Sequence, residues 1–178
     1  EDTRGIVTAN TDAQLRTKTW PEVSKWYNLL ICKKMLKYTA TAVYSADPAH
    51  EKSWRFDLHP WSEENTEAFA GLHNEGKRIL LIFDEASGIH DKIWEVSEGA
   101  LTDENTEIMW IVFGNPTRRT GRFFRCFHGK HKLQWGRRNI DSRDVEGTNK
   151  LQFAKMVEAY GEDSDIVRYR VRGLFPRA

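Results

Sequence analysis

Five consecutive apolar residues, at positions 79–83, run directly into two acidic residues, Asp84 and Glu85. A half-exposed strand or helix would interrupt such a run with polar residues, whereas a parallel strand that is covered on both faces has none. Strands of this kind lie in sheets flanked by helices, and they present functional residues at their carboxyl ends. The sequence therefore predicts an α/β fold with Asp84 and Glu85 at the functional edge of its sheet.

The two acids match the Walker B pattern, in which an apolar strand ends in a metal-binding acid and a catalytic acid. In a nucleotide-hydrolysing sheet, Asp84 would hold Mg²⁺ through its water shell, and Glu85 would polarise the water that attacks the γ-phosphate. A buried strand that ends before a helix cap shows the same residues, so this segment alone leaves both interpretations open.

A phosphate-binding loop would accompany such a motif, and the sequence has one near match at residues 71–77. The glycine and lysine spacing is right, but Arg78 stands where the metal-binding hydroxyl is expected. A phosphate-binding loop follows a strand and opens a helix, whereas this segment precedes the predicted strand. We therefore predict a Walker B motif without a Walker A motif in this sequence.

The composition is that of one globular domain. Of the 178 residues, 39% are hydrophobic and 30% are charged, and the formal net charge is +1. No window has the apolar length of a membrane span, and residues 1–4 lack the features of a signal peptide. We expect a cytoplasmic protein without a membrane partner, in which Cys32 and Cys126 stay reduced.

Strands and helices alternate along the chain, which predicts a mostly parallel sheet flanked by helices. Strands are predicted at residues 5–9, 39–44, 54–57, 79–83, 108–113 and 133–140. Helices are predicted at residues 13–37 with a bend near Trp20, partly at 63–74, and at 91–101, 121–127 and 148–160, the last with Thr148 as its N-cap. Residues 165–173 fit a helix or a strand.

Positive charge collects between residues 118 and 138, although the net charge is close to zero. The basic positions are Arg118, Arg119, Arg122, Arg125, Lys130, Lys132, Arg137 and Arg138, with Phe123, Phe124, Phe127 and Trp135 interleaved. Such a stretch can bind the phosphates of DNA, but a solvated helix face with a buried aromatic stripe has the same composition. Both interpretations stay open.

Four ordered segments resemble the large terminase subunit of tailed bacteriophages and prophages: residues 7–20, 60–73, 81–87 and 113–118. Residues 141–147 and 171–176 extend the resemblance over nearly the whole chain. In that family an ATPase domain drives double-stranded DNA into an empty capsid, and a nuclease domain cuts the DNA. The resemblance implies a P-loop NTPase fold (RecA-like, ASCE type) that is incomplete: residues 1–178 would form a partial ATPase domain, from after Walker A to the end of the motor domain, without the nuclease domain.

The resemblance also implies roles for residues at two strand ends. Asp84 matches the acid that coordinates Mg²⁺, and Glu85 matches the catalytic carboxylate. Asn115, Pro116 and Thr117 match the segment that couples hydrolysis to motion, and the amide of Asn115 and the hydroxyl of Thr117 could sense the γ-phosphate. Without the resemblance, these three residues read as a plain turn.

Mg²⁺ and ATP are therefore the implied cofactors of the longer protein. Phosphoryl transfer depends on positioning and electrostatic stabilisation by a phosphate cradle. Because the sequence lacks that cradle, this chain alone is expected to show little or no ATP binding and hydrolysis.

The implied partners are double-stranded DNA, the small terminase subunit, the portal of the procapsid and neighbouring subunits in a ring. The candidate residues for DNA contact or for coupling are Gln14, Arg16, Arg118, Arg119, Arg122, Arg137 and Arg138. One of the arginines at positions 118, 119 and 122 could instead stabilise charge in the transition state.

Two other functions remain open from the sequence. A non-catalytic module that binds DNA or terminase partners would depend on Arg137 and Arg138. A metal-dependent nuclease would use Asp84 and Glu85 together with Asp141 or Asp144.

Overall fold

A computed structural model describes residues 2–177, which form two compact units: the first ends at Phe113 and the second starts at Gly114. The strands of the first unit are β1 Thr3–Ala9, β2 Leu36–Tyr38, β3 Ala42–Ser45, β4 Arg55–Leu58, β5 Arg78–Asp84 and β6 Glu107–Val112. Its α-helices are α1 Asp12–Gln14, α2 Trp20–Leu29, α3 Glu67–Ala70 and α4 Asp91–Ala100. Among the described residues, no helix has both the length and the apolar character needed to cross a bilayer.

The six strands form one sheet in the order β2-β3-β4-β1-β5-β6. Strand β1 lies inside the sheet and pairs in parallel with β4 and β5, and β6 pairs in parallel with β5. Strands β2 and β3 form an antiparallel hairpin, and β3 joins β4 in antiparallel orientation. The predicted α/β architecture, a mostly parallel sheet flanked by helices, is confirmed.

One face of the sheet packs against α2 and the π-helical turn Leu15–Thr19 that precedes it. Val7, Leu15, Trp20 and Leu58 are buried there in one cluster. The Trp20 ring also stacks on Tyr38 with centroids 5.6 Å apart. Each side chain of this size contributes about 1.5–3 kcal/mol when it is fully buried, so this cluster fixes the helical segment on the sheet.

The opposite face of β5 is built around an aromatic cluster. The Phe83 ring, which is fully buried, meets the rings of Phe69 on α3, Trp94 on α4 and Trp110 on β6 at centroid distances of 6.3, 5.0 and 5.3 Å. These edge-to-face arrangements are favourable beyond the area that they bury. Phe83, which directly precedes Asp84, is therefore packed against three aromatic rings.

The two faces of β5 differ in burial, which corrects one expectation. The side chains of Ile79, Leu81 and Phe83 are completely buried, whereas Leu80 and Ile82 on the other face are half-buried. The run of apolar residues predicts full cover on both faces, but the α2 face covers β5 only in part. Periodicity cannot separate these cases, because apolar residues occupy both faces in either one.

Gly5 lies where β1 and its neighbours approach most closely. A β-carbon at this position would come 2.6 Å from Cδ2 of Phe56 on β4 and 2.8 Å from the backbone oxygen of Leu80 on β5. We expect Gly5→Ala to lower the free energy of unfolding by about 1–3 kcal/mol, because a strand backbone cannot move aside at low cost. Urea denaturation followed by circular dichroism measures the change.

Gly99 on α4 provides the matched control, because a β-carbon there would meet no atom within 4 Å. Gly99→Ala should raise the free energy of unfolding by up to about 1 kcal/mol through helix propensity. Equal destabilisation by the two substitutions would show that the spacing of β1 from its neighbours is not limiting.

The predicted first helix, at residues 13–37, is shorter and less regular than expected. The Trp20 N–H donates to the Leu15 carbonyl oxygen in the π-helical turn, and α2 ends at Leu29. Pro21 cannot donate a backbone hydrogen bond to the preceding turn, which explains why the irregularity lies directly before it. Leu36 and Lys37, predicted as helix, belong to strand β2 instead.

The predicted strand at residues 39–44 covers the turn of a hairpin, and this boundary is wrong. The Thr39 side chain accepts a hydrogen bond from the Ala42 N–H at 3.0 Å, and the Thr39 N–H donates to the Ala42 carbonyl oxygen at 2.8 Å. A threonine hydroxyl can close such a turn, and its β-branched shape conceals this in a propensity count. The prediction for residues 54–57 is confirmed as β4 within one residue.

Strand β6 confirms the predicted strand at residues 108–113 but lies at an edge of the sheet. Within residues 2–177 it pairs with β5 alone, and Ile108 and Met109 are 38% and 41% exposed. An apolar run can therefore mark an open edge as well as a buried strand.

The second unit contains α5 Gly121–His128, α6 Lys150–Tyr160 and α7 Asp165–Arg170. The helices predicted at residues 121–127 and 148–160 are confirmed, but the N-cap of α6 is Asn149, whose side chain accepts from the Gln152 N–H at 3.0 Å. Thr148 instead donates its hydroxyl to the Ser142 carbonyl oxygen at 2.7 Å.

The strand predicted at residues 133–140 is wrong, because these residues form turns and irregular backbone. Leu133 and Ile140 are largely exposed, so the apolar positions of this segment have no buried face to occupy. The ambiguous tail resolves as helix α7 over residues 165–170.

Candidate functional site

Asp84 ends β5 at the carboxyl edge of the parallel strands, level with Ala9 at the end of β1. Its carboxylate is half-buried and accepts two hydrogen bonds. The Thr19 hydroxyl donates to Oδ2 at 2.6 Å, and the Glu85 backbone N–H donates to Oδ1 at 3.0 Å. Each oxygen keeps further lone-pair capacity, so the carboxylate is oriented and can still bind the water shell of a cation.

Glu85 adopts a left-handed backbone conformation, with φ 50° and ψ 42°. Such a conformation costs roughly 1–2 kcal/mol for a residue with a β-carbon. Hydrogen bonds on both sides maintain it: the Phe113 N–H donates to the Phe83 carbonyl oxygen, and the Ala86 N–H donates to the Phe113 carbonyl oxygen, both at 2.9 Å. The strained position of the second acid is thus fixed by the end of the neighbouring strand.

Thr19 was not identified from the sequence, although it makes the shortest side-chain contact of Asp84. It lies 65 positions before Asp84, at the end of the π-helical turn. No local motif marks it. The signal that could have found it is the irregular helix itself, because π-helical turns occur frequently at functional sites.

The bond between Thr19 and Asp84 makes a testable contribution to stability. Thr19→Val keeps the shape of the side chain but removes the hydroxyl, and we expect the free energy of unfolding to fall by about 1–2 kcal/mol, because a half-buried carboxylate loses a partner. Thr17→Val is the control, since the Thr17 hydroxyl donates only to the Ala13 carbonyl oxygen in its own helical turn. Denaturant titrations of both variants measure the difference, and equal losses would contradict the role of the Asp84 contact.

Asn10 is a second residue that the sequence did not single out. It directly follows β1, and a β-carbon added to Gly88 would lie 2.0 Å from its Oδ1 atom. The amide of Asn10 therefore packs against the loop that follows Glu85, and glycine at position 88 makes this approach possible. An oxygen and an N–H₂ group stand at the same edge of the sheet as the two acids.

A cavity of about 540 Å³ opens next to Asp84 on the α2 face of the sheet. Its lining is mostly apolar, and Thr19, Lys18 and Glu22 bring polar groups to it. Its volume is within the range of small-molecule sites. Ile82, a half-buried residue of β5, forms part of the cavity wall.

Two candidate residues near this edge have local partners. The Gln14 backbone N–H donates to the Thr11 hydroxyl, so Thr11 is the N-cap of α1. The Arg16 guanidinium forms an ion pair with Asp12 at 2.8 Å, one helical turn earlier. Both side chains lie on the helical segment that supplies Thr19, and their roles in coupling or DNA contact remain predictions.

The other candidates belong to the second unit. Asn115 and Thr117 stand in irregular backbone, where the Thr117 N–H donates to the Asn115 carbonyl oxygen at 2.8 Å. Arg122 is buried in α5, whereas the other arginines of the candidate set are exposed: Arg118, Arg119, Arg137 and Arg138. Arg119 and Arg137 line one cavity.

The segment at residues 71–77 has the context expected of a chance match to a phosphate-binding loop. It follows α3 and ends where β5 begins, so it lies at the opposite end of β5 from Asp84. Its backbone opens no helix, and its nearest regular element is a strand. It therefore lacks the helix N-terminus on which phosphate binding depends.

The arrangement gives no support to the nuclease alternative. Asp141 caps a short 3₁₀ turn and forms an ion pair with Arg143 at 2.6 Å. The hydrogen bonds from the Arg143 side chain hold the pKa of Asp141 below its ordinary value. Across residues 2–177, no group of three or more His, Cys, Asp and Glu side chains is arranged to hold a metal ion.

Comparison with known proteins identifies one relative by sequence. No family model matches the chain. The probable large terminase subunit of Enterobacteria phage P7 is 33% identical over 133 residues, which are 70% of this chain and 26% of the relative. The chain thus spans about a quarter of the length of this curated relative.

Solved structures with the same fold are those of the large terminase from a thermophilic bacteriophage. One structure matches with a TM-score of 0.63 and 11% identity over 99% of this chain and 40% of that protein. Another, in complex with ADP, matches with a TM-score of 0.60 and 12% identity over 90% of this chain and 37% of that protein. The likeness shows that the chain shares the fold of these large terminase structures.

Proposed function

Since this chain is related to part of the large terminase subunit of bacteriophages, we propose that it is a segment of a motor that packages double-stranded DNA by hydrolysing ATP. The observation that carries this proposal is the oriented acidic pair, Asp84 and Glu85, at the carboxyl edge of a parallel sheet. Ligands of open α/β sheets bind at this edge. The sequence relative and the shared fold support the same assignment.

In the proposed site, Asp84 would hold Mg²⁺ through its water shell. The ion would supply charge neutralisation for the phosphate oxygens of ATP. The hydrogen bonds from Thr19 and from the Glu85 N–H fix the direction of the carboxylate, so that the metal position is set before nucleotide binds. Binding of the ATP phosphates at this edge would also need a phosphate-binding loop, which the sequence is predicted to lack.

Glu85 would act on the attacking water. Its carboxylate would orient the water and accept a proton from it as the bond to the γ-phosphorus forms, and the bridging oxygen would leave with ADP. The backbone hydrogen bonds of Phe113 with Phe83 and Ala86 would hold the left-handed backbone of Glu85 beside Asp84. The two acids would therefore divide the work between metal binding and proton transfer.

The proposal includes coupling and partners. Asn115 and Thr117 would sense the γ-phosphate and transmit its loss, and the exposed basic residues would contact DNA or a neighbouring subunit. The motor would work in the bacterial cytoplasm as a ring on the portal of the procapsid, together with the small terminase subunit.

A hybrid large subunit tests the proposal. In this hybrid, the matched residues of the present chain replace the corresponding segment of the phage P7 protein. We expect the purified hybrid to hydrolyse ATP and to package DNA. A folded hybrid that binds ATP but neither hydrolyses it nor packages DNA would contradict the proposal.

Calorimetric titration of the chain alone with ATP and Mg²⁺ supplies the complementary measurement. Little or no heat that depends on Asp84 is expected, because ATP binding at the acidic edge needs a phosphate cradle for positioning. Binding that disappears in Asp84→Ala would instead reveal a nucleotide site made by these residues alone.

A further inference from the structure

The second unit contains a basic cavity that the ATP-hydrolysing role does not use. Its volume is about 510 Å³. Four of its lining residues can carry positive charge, namely Arg119, His128, Arg137 and Arg168, and aromatic and aliphatic side chains form the remainder: Phe124, Phe127, Leu174, Phe175 and Pro176, with Asn139 as a polar neighbour. Three guanidinium groups around one concave surface constitute a strong local positive field.

Backbone oxygens anchor each of the three arginines. Arg137 donates to the Phe127 carbonyl oxygen and Arg168 to the Phe175 carbonyl oxygen, both at 2.9 Å, and Arg119 donates to the carbonyl oxygen of Arg177. A guanidinium has five N–H donors, so each group keeps most of its donors after this bond. Each guanidinium group is thus held in place by one hydrogen bond while most of its N–H donors remain without a backbone acceptor.

No carboxylate neutralises these three arginines within residues 2–177. Other arginines of the same unit are paired: Arg143 bridges Asp141 and Glu162, and Arg172 pairs with Asp163 at 2.6 Å. The pKa of Asp163 is lowered first by the hydrogen bond from Arg172, then by the charge of Arg177 and only last by that of Arg168, and its ion pairs are with Arg172 and Arg177. The three cavity arginines therefore differ from Arg143 and Arg172, whose charges are offset by carboxylates.

The pKa of His128, at the end of α5, is affected by the positive charges around the cavity. Its ring lies 4.8 Å from that of Phe124 and 5.2 Å from that of Phe175. Its pKa is lowered, first by desolvation and then by the charges of Arg119, Arg137 and Lys132. An anion that binds in the cavity would stabilise the protonated form of the His128 ring, because it would offset the neighbouring positive charges.

We propose that this cavity binds a phosphate ester, whose oxygens accept hydrogen bonds from Arg119, Arg137 and Arg168. Arginine forks match the geometry of phosphate oxygens and form charge-assisted hydrogen bonds with them. The cavity is much larger than a phosphate ion, and its aromatic wall offers apolar contact to the rest of an attached molecule. The phosphate is therefore part of a nucleotide or of a DNA backbone.

Proton NMR of the His128 ring in the whole chain tests this binding. Inorganic phosphate, ATP and a short DNA duplex are titrated in separate experiments, and His128→Gln assigns the signal. We expect the signal to shift on saturation and the pKa of His128 to rise, because a nearby anion favours the protonated ring. No shift with any of the three ligands would overturn the proposal.

Arg137 and Lys155 provide a matched pair, since both are exposed cations of the second unit and only Arg137 lines the cavity. Arg137→Gln should weaken binding by about tenfold or more, whereas Lys155→Gln should change it by less than about twofold. Equal weakening would indicate non-specific attraction and overturn the site. Arg119→Gln replaces the first variant if Arg137→Gln does not fold.

The three ligands also identify the source of the phosphate. Arg137-dependent binding of the duplex assigns a DNA backbone, and Arg137-dependent binding of ATP or inorganic phosphate without the duplex assigns a nucleotide. Phosphate binding in this cavity and ATP hydrolysis by the hybrid large subunit are measured in separate experiments, so this proposal and the proposed motor function can fail separately.

Discussion

Glu85→Gln is expected to lower the rate of ATP hydrolysis by the hybrid large subunit by about 10²- to 10⁴-fold. Glutamine keeps the size of the side chain and its ability to orient water, but it cannot accept the proton of the attacking water at neutral pH. ATP binding should change little, because metal binding is assigned to Asp84. A steady-state ATPase assay and a separate nucleotide-binding measurement distinguish the two effects.

Glu95→Gln is the matched control, since Glu95 is an exposed residue of α4, away from the edge that carries the acids. Its ATPase rate should equal that of the unsubstituted hybrid. If Glu85→Gln and Glu95→Gln hydrolyse ATP equally fast, Glu85 does not take the proton and the strained loop has another purpose.

Phe83→Ala should lower the free energy of unfolding by about 3–5 kcal/mol. The ring is completely buried and contacts the rings of Phe69, Trp94 and Trp110, so its removal leaves a cavity in the centre of the aromatic cluster. The loss approaches the total stability of many small domains. Urea denaturation should show a large fall in the transition midpoint.

Phe113→Ala removes the same ring from a side chain that is 56% exposed. The loss should stay below about 1 kcal/mol, because surface substitutions cost little and the backbone bonds of Phe113 persist. A comparable loss in both variants would show that the aromatic cluster does not dominate the stability of the sheet.

The functional edge of the sheet could be predicted because its signal is local. Residues 79–85 contain both the apolar strand and the two acids that follow it. Parallel pairing then places the two acids at the carboxyl edge of the sheet. The alternation of strands and helices indicated the architecture in the same way. Strand boundaries near β4 and β5 were close, because apolar residues fill these short segments.

The partner of Asp84 could not be predicted, because it depends on pairing across 65 positions. Thr19 has no sequence signature, and its position follows from the π-helical turn that precedes Pro21. The edge position of β6 was also hidden, since an apolar segment has the same composition at an edge and in a centre. In residues 133–140 the strand prediction failed, because the segment forms turns and irregular backbone and its apolar residues Leu133 and Ile140 are largely exposed.

The placement of β1 between β4 and β5 has a consequence for synthesis on the ribosome. Thr3–Ala9 leaves the ribosome well before both of its pairing partners, Arg55–Leu58 and Arg78–Asp84. At about 5–20 residues per second, this apolar segment spends several seconds without a neighbour on either side. The residues of β1 that are buried in the folded sheet thus stay exposed in the nascent chain until both partners have emerged.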